Sequence, residues 1–143
     1  MIEGGHPDAA GPQLDRAERL LGAQAEPMDI VMLRTYKARR LGAIGEPAEA
    51  LRLAHEALEL AGDTLPEDRG TALLTIAEAY AALEDQRAEA AFRDAAEHID
   101  RQGPPRYRAD AYRGWARVLR RQGRESEALD LLERATETGA TAR

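Results

Sequence analysis

The sequence concentrates positive charge in one stretch near its carboxyl-terminal end. Residues 101–124 contain eight arginines and a single acidic residue, Asp110, so this stretch carries +7 and leaves −13 for the rest of a chain of −6. Clustered arginines in a concave surface attract anions and bind carboxylates or phosphates through paired N–H groups. The pattern predicts capture of an acidic peptide or an anionic ligand. The alternative is a solvated face, in which Arg120 and Arg121 only complement a helix carboxyl end.

Metal and thiol chemistry find no support in the sequence. The chain has no cysteine, which excludes disulfides, thiolate metal ligands and cysteine nucleophiles. Its three histidines, His6, His55 and His98, are far apart and do not have the spacing of metal ligands. We expect His55 and His98 to face outward from their helices. The sequence predicts no metal site and no cofactor.

Catalytic groups are also scarce. Glu78 could act as a general base in a groove, but no activated nucleophile or acid accompanies it, so we predict a salt bridge to Arg39 or Arg117 instead. The run Gly42-Ala43-Ile44-Gly45 lacks the Lys-Ser/Thr ending of a phosphate-binding loop. We therefore predict that the chain is not an enzyme.

The overall composition narrows the partners and the compartment. The chain has 143 residues, which fits one domain or one short array of repeats. Its negative net charge argues against nucleic acid binding by this segment. No apolar run approaches the roughly 20 residues that span a bilayer, and the amino-terminal residues do not resemble a signal peptide. We expect a cytoplasmic protein with no membrane contact.

The elements that must position these side chains are helices. Alanine occurs 29 times, and Ala, Leu, Arg and Glu together dominate the sequence; these residues are strong helix formers. Apolar residues recur at helical spacing, and glycines and prolines separate the helical stretches at regular intervals. The predicted helices cover residues 12–23, 28–43, 47–61, 67–83, 86–101, 106–122 and 125–138. Short connections predict that neighbouring helices are antiparallel.

An internal repeat explains the regular spacing. Ala38, Ala77 and Ala116 recur at a constant interval, and each begins the same series of a turn followed by a second helix. The second helices close at the matching alanines Ala57, Ala95 and Ala135. Small side chains at these positions let two helices of one hairpin approach closely. The repeats are predicted over about 28–65, 66–104 and 105–139, within one domain over 1–143.

A partial repeat precedes these three. Gly5, Ala10, Leu14 and Ala17 have the same relative spacing as Gly45, Ala50, Ala54 and Ala57, so residues 1–25 match a turn and a second helix without a first helix. This register predicts that the chain is a fragment of a longer protein. The alternative is an atypical capping helix of a complete protein.

The repeated residues resemble the tetratricopeptide repeat, a helical hairpin with small residues at the helix crossing. The matching positions are Tyr112, Trp115, Ala116 and Leu119 with Gly123, Ala128, Leu132 and Ala135; then Ala77 and Tyr80 with Ala88, Phe92 and Ala95; and Ala38 through Ala57. The interval between anchors is longer than the family period of about 34 residues, and the terminal proline is missing. The resemblance implies an all-α, right-handed solenoid of about seven helices, with three hairpins and a leading helix. It also implies a concave groove that binds peptides or proteins.

In the family the first helix of each hairpin faces the groove, which implies a set of groove residues here. The first hairpin contributes Met32, Thr35, Arg39, Gly42 and Ala43. The second contributes Thr71, Leu74, Glu78, Ala81 and Ala82. The third contributes Asp110, Arg113, Arg117, Arg120 and Arg121. The groove is therefore expected to change from small and apolar at one end to cationic at the other.

The long repeat period and the Ala, Arg and Glu content also resemble the carboxyl-terminal repeat regions of bacterial helix-turn-helix transcriptional regulators. This resemblance implies an interaction, sensor or dimerisation region of a larger regulatory protein, and the expected partner is a protein or peptide, with an acidic segment a natural match. The alternatives are a stand-alone scaffold or assembly adaptor, and a sensor that binds an anionic ligand in the arginine-lined groove. Uncovered ends of the repeat stack also predict a homodimer.

Overall fold

Every regular element in the described part of the chain is helical. The computed structural model describes residues 12–16 and 26–141, with side chains of the last helix described as far as residue 136. Six α-helices lie within residues 26–141: α1 (Pro27–Ala43), α2 (Pro47–Ala61), α3 (Pro66–Ala82), α4 (Ala88–Gln102), α5 (Arg108–Arg121) and α6 (Glu125–Thr141). A 3-10 turn at Pro105–Tyr107 precedes α5, and residues 12–16 are also helical. The predicted all-α repeat fold is confirmed.

Proline fixes where the first three of these helices begin. Pro27, Pro47 and Pro66 are the first residues of α1, α2 and α3. The first turn of a helix leaves its N–H groups without intrahelical partners, so the missing proline N–H costs nothing there, and the ring already holds φ near the helical value. The helix starts predicted at 28, 47 and 67 are therefore correct to within one residue.

The turns inside the three hairpins share one geometry. In each, the N–H that follows the turn residue bonds to the carbonyl five residues earlier, at 2.8–2.9 Å. The turn residue itself has positive φ: 87° at Gly45, 55° at Glu84 and 78° at Gly123. This is the Schellman ending of a helix, which favours glycine because glycine has no Cβ to clash. Glu84 adopts the same conformation without that advantage.

The register of the repeat reappears in the packing. Ala38, Ala77 and Ala116 are all buried, at no more than 1% exposure. The two helices of each hairpin pack against each other, and the first helix of one hairpin also packs against the first helix of the next. The three anchor alanines therefore belong to one continuous core, as the repeat predicted.

The second and third hairpins pack closely against each other. Phe92 on α4 and Tyr112 on α5 are among the largest fully buried side chains. Gly114 on α5 faces Phe92 so closely that a Cβ at this position would lie 2.3 Å from Cε1 of the ring. The absence of a side chain at Gly114 therefore lets α5 approach α4 and sets the spacing of these hairpins.

One expected orientation is wrong. We expected His98 to face outward from α4, but its side chain is buried and Nε2 lies 2.7 Å from the carbonyl oxygen of Pro66. The cause is the close packing of α4 against α3, which places His98 over the first residue of α3. His55 does lie on the surface, edge-on to the ring of Tyr80.

The leading repeat is described in part. Residues 12–16 are helical and contain Leu14, in agreement with the beginning of the helix predicted over 12–23. Residues 1–11 and 17–25, with the predicted positions Gly5, Ala10 and Ala17, lie outside the described residues. The partial repeat over 1–25 and the repeat boundaries stay predictions.

Candidate functional site

The first helices of all three hairpins line a cavity of about 350 Å³. Most of its wall is formed by small residues, and its polar groups come from α1, α3 and α5. The lining residues are Ala38, Arg39, Gly42 and Ala43 from α1, Pro47 and Ala50 from α2, Thr75, Glu78, Ala79 and Ala82 from α3, and Arg117 from α5. Small side chains leave room here for the chain of a bound partner. We call this cavity and the exposed face of α5 the groove.

Arg39 links the three hairpins within the groove. Its Nη1 donates a hydrogen bond to Oε1 of Glu78 at 3.0 Å and a longer one, 3.4 Å, to the hydroxyl of Thr75, both on α3. Its guanidinium also lies 5.0 Å from the ring centre of Tyr107, just before α5. The salt bridge predicted for Glu78 therefore forms with Arg39. The contact with Tyr107 could not be foreseen, because Tyr107 is distant from Arg39 in the sequence and lies outside the repeat motif.

Glu78 is the carboxylate with the most perturbed environment in the groove. Burial raises its pKa above the ordinary glutamate value, and the nearby carboxylate of Asp110 raises it further. The positive charges of Arg39 and Arg117 oppose this effect without cancelling it. Glu78 therefore binds a proton more readily than an exposed glutamate.

Arg113 and Arg117 supply the uncompensated positive charge of the groove. Both side chains are exposed on α5, and Arg117 borders the cavity beside Glu78. Arg113 lies 3.9 Å from the carboxylate of Asp110, which is itself half exposed, so this pair is weak. These two arginines can donate hydrogen bonds to a carboxylate of a partner with little rearrangement.

The last two predicted arginines are engaged at the end of the helix. Arg120 forms an exposed ion pair with Glu125 across the turn to α6, at 3.5 Å. Arg121 donates a hydrogen bond to the carbonyl oxygen of Ala81, in the last turn of α3. In the alternative interpretation of the arginine cluster, arginines complement the carboxyl end of a helix. Arg121 fits this interpretation, although the helix end that it contacts belongs to α3 and not to α5.

Other arginines of the same stretch hold the fold together. Arg108 pairs with Asp100 at 2.5 Å and lies over the ring of Tyr112, which joins the end of α4 to α5. Arg124, the residue before α6, bonds to Glu89 on α4 at 2.8 Å. The eight arginines of residues 101–124 thus divide into structural and accessible groups, a division that composition does not reveal.

Three predicted groove residues lie in the core instead: Thr71 is 8% exposed, and Leu74 and Thr35 are buried more deeply. Leu74 is fully buried and Thr35 is only 3% exposed, its hydroxyl bonding to the carbonyl of Val31 in its own helix. The physical reason is that the first helices of consecutive hairpins pack against each other, which covers the position three residues before the anchor alanine. Leu74 and Thr35 cannot contact a partner in this structure, whereas Met32 remains exposed on α1.

Comparison with known proteins supports the family assignment. Residues 68–138, which include α4, α5 and nearly all of α3, match the family model of the tetratricopeptide repeat. This stretch of the chain is tetratricopeptide repeat sequence. Comparison with curated proteins gave no match, and comparison with solved structures also gave none. Tetratricopeptide repeats are typically non-catalytic protein-interaction modules, which makes the groove the surface of interest.

Other kinds of site are not evident in the described part of the chain. Within residues 12–16 and 26–136, no group of three or more His, Asp or Glu side chains converges as metal ligands would. Among the helices of the described part, none is long and apolar enough to cross a membrane.

Proposed function

We propose that the groove binds an acidic segment of another protein. The observation that carries this proposal is the position of the exposed Arg117 at a cavity lined mainly by small side chains, with the exposed Arg113 one helical turn earlier on α5. Tetratricopeptide repeats interact with proteins through such surfaces, and a positively charged groove selects carboxylates.

The charge distribution inside the groove favours an acidic partner. The predicted groove set contains five arginines and two carboxylates. The Arg39–Glu78 pair is internally neutral, and Arg121 is directed at a backbone carbonyl. The remaining arginines are Arg113, Arg117 and Arg120 on one face of α5, and Arg113 and Arg120 form only weak, exposed ion pairs with Asp110 and Glu125. Their exposure means that they are not committed to strong partners within the described part of the chain.

The shape of the groove favours an extended segment over a compact anion. The cavity is lined by residues of α1 and α3 and by Arg117 of α5, so a peptide can contact all three first helices. Gly42, Ala43 and Ala82 provide little side-chain bulk along this path. The rival function is the binding of a small anion at the same place. The affinity for such an anion would not depend on the residues at the apolar end of the groove.

A charge-reversal experiment tests this proposal. Binding of a fluorescein-labelled degenerate peptide library with fixed Glu positions is measured by anisotropy and compared with the same library carrying Gln at those positions. Arg117→Glu is expected to weaken binding of the Glu library by about tenfold, because repulsion replaces attraction at the groove. Arg93→Glu, an equal charge change at an exposed site on α4, is the matched control and should have little effect.

The outcomes separate the alternatives. Equal binding of the Glu and Gln libraries, or equal effects of Arg117→Glu and Arg93→Glu, contradicts selection of acidic segments by the groove. Binding of inorganic phosphate or citrate that Arg117→Glu abolishes, without any peptide binding, supports the small-anion sensor instead. Raising the salt concentration should weaken the peptide complex, because the arginines are exposed and their charges are screened.

We further propose that the module serves a larger cytoplasmic regulatory protein of a bacterium, as the resemblance to helix-turn-helix regulators implied. A scaffold or assembly role is the alternative. Peptide mapping of the native polypeptide from its source cells separates them, since a helix-turn-helix segment joined to Met1 supports the regulator.

Homodimerisation is proposed on exposed apolar side chains, Leu129 on α6 and Met28 and Met32 on α1. Sedimentation as a monomer at high concentration contradicts the dimer.

A further inference from the structure

Arg40 is a buried cation without a counter-charge in the described part of the chain. Its side chain lies on α1 and is 7% exposed. None of its three guanidinium nitrogens has an acceptor within hydrogen-bond distance among the residues that the structure describes. A guanidinium carries five N–H donors and a permanent charge, and burying both without a partner is strongly unfavourable. The guanidinium of Arg40 can therefore bind an anion.

The preceding residue shows the contrast. Arg39 is directed into the groove and pairs with Glu78 at 3.0 Å. Arg40 instead lines a separate cavity of about 230 Å³, between the helical residues 12–16 and the first hairpin. The two neighbouring arginines thus serve different sites. This second cavity lies outside the groove, and inference from it does not depend on the proposed function.

The walls of this second cavity are apolar apart from ion pairs. Leu14, Leu41, Ile44 and Leu53 supply apolar surface. Two acidic and two other basic residues also border it, and they pair with each other: Lys37 with Asp15 at 2.6 Å, and Arg52 with Glu49 at 2.7 Å. The lining therefore carries one positive charge in excess, and it is the charge of Arg40.

We propose that this cavity binds a small monocarboxylate with a compact apolar body. The carboxylate would accept two parallel N–H bonds from Arg40, which is the geometry that a guanidinium favours. The apolar body would contact the leucine and isoleucine walls. A doubly charged phosphate is disfavoured, because Arg40 can neutralise only one of its two negative charges. The second charge would be repelled by Asp15 and Glu49.

The volume sets the size of the ligand. An apolar cavity of about 150 Å³ holds benzene, and the present cavity is about half as large again, at 230 Å³. An acid of about eight to ten non-hydrogen atoms therefore fits. Hexanoate and benzoate meet this limit and present one carboxylate each, so they serve as probes of the site.

Thermal unfolding of the full chain with these probes tests the proposal. At about 10 mM, hexanoate or benzoate should raise the melting temperature, since a ligand that binds only the folded state stabilises it. Hexanamide, which is neutral and of the same shape, should produce a much smaller shift. If neither acid raises the melting temperature, or if hexanamide acts as well as hexanoate, the proposal is wrong.

Variants of the two neighbouring arginines locate the binding. Calorimetric titration with hexanoate should show a dissociation constant about tenfold to hundredfold higher for Arg40→Met, because a charge-assisted bidentate pair is lost. Arg39→Met is the matched control and should bind hexanoate as the original chain does. Arg40→Met should also melt at a higher temperature than the original chain without ligand, because it removes an unpaired buried charge. Unchanged hexanoate affinity in Arg40→Met, or lost affinity in Arg39→Met, would overturn the assignment.

Discussion

Replacing Gly114 by alanine tests the close approach of the second and third hairpins. A Cβ at this position would lie 2.3 Å from Cε1 and 2.5 Å from Cζ of Phe92. Favourable carbon contacts lie at about 3.5–4.0 Å, so the ring or the helix must move by more than about 1 Å. Phe92 is 2% exposed and packed in the core, and it cannot rotate into solvent.

Two opposing terms set the magnitude. Alanine is a better helix former than glycine, which favours the variant by about 1 kcal/mol. Overpacking a close-packed core costs about 1–3 kcal/mol, and contacts this short with an aromatic ring place the cost near the upper limit. The clash therefore dominates, and we expect Gly114→Ala to lose about 2 kcal/mol of unfolding free energy. For a chain of this length the melting temperature should fall by about 5–10 °C.

Chemical denaturation followed by circular dichroism measures this change. Gly42→Ala is the matched control, because Gly42 is also helical and its Cβ would meet no atom within 4 Å. Only the propensity term remains there, so this variant should gain about 0.5–1 kcal/mol. In a Phe92→Leu background, Gly114→Ala should cost less, with a coupling of about 1–2 kcal/mol. If Gly114→Ala stabilises the chain as Gly42→Ala does, the hairpins are not in this contact.

Two further predictions concern a turn and a titrating group. Glu84→Gly should stabilise the fold by about 0.5–1 kcal/mol in denaturation experiments, because Glu84 has φ of 55° where the equivalent turns have glycine; an equal gain from Glu84→Ala would contradict this reason. The raised pKa of Glu78 means that the folded state binds its proton more tightly than the unfolded state. Its stability contribution is therefore full at pH values below the unfolded glutamate pKa, and it is lost as the pH rises through the raised folded pKa. Glu78→Gln should flatten this part of the stability profile from pH 4 to 8, and an unchanged profile would show that Glu78 titrates normally.

Much of the fold was predictable because its information is local. Helix starts follow from prolines such as Pro47, and helix ends follow from glycines such as Gly45 and Gly123. The regular recurrence of the anchor alanines predicted which positions would be buried. Local propensity and the repeat agree here, and such agreement is typical of sequences that specify one fold.

The groove was predictable only in part. Arg39, Glu78 and Arg117 do meet at one cavity, as the register implied. Leu74 and Thr35 have equivalent positions in the repeat to Arg113, yet they are buried while Arg113 is exposed. Whether such a position is buried depends on whether the first helix of a neighbouring hairpin packs over it. The repeat pattern cannot show this, because it assigns the same orientation to the equivalent position of every hairpin.

The sequence by itself determined the helices, their pairing into hairpins and the excess of arginine on one of them. The tertiary structure decided which arginines are accessible, which pair with carboxylates and which lacks a partner among the described residues. Arg39 and Arg40 are adjacent and chemically identical, but a helix turns by about 100° per residue, so the two side chains reach different cavities. Burial and partner are properties of the space around a side chain, and that space is formed by residues distant in the sequence.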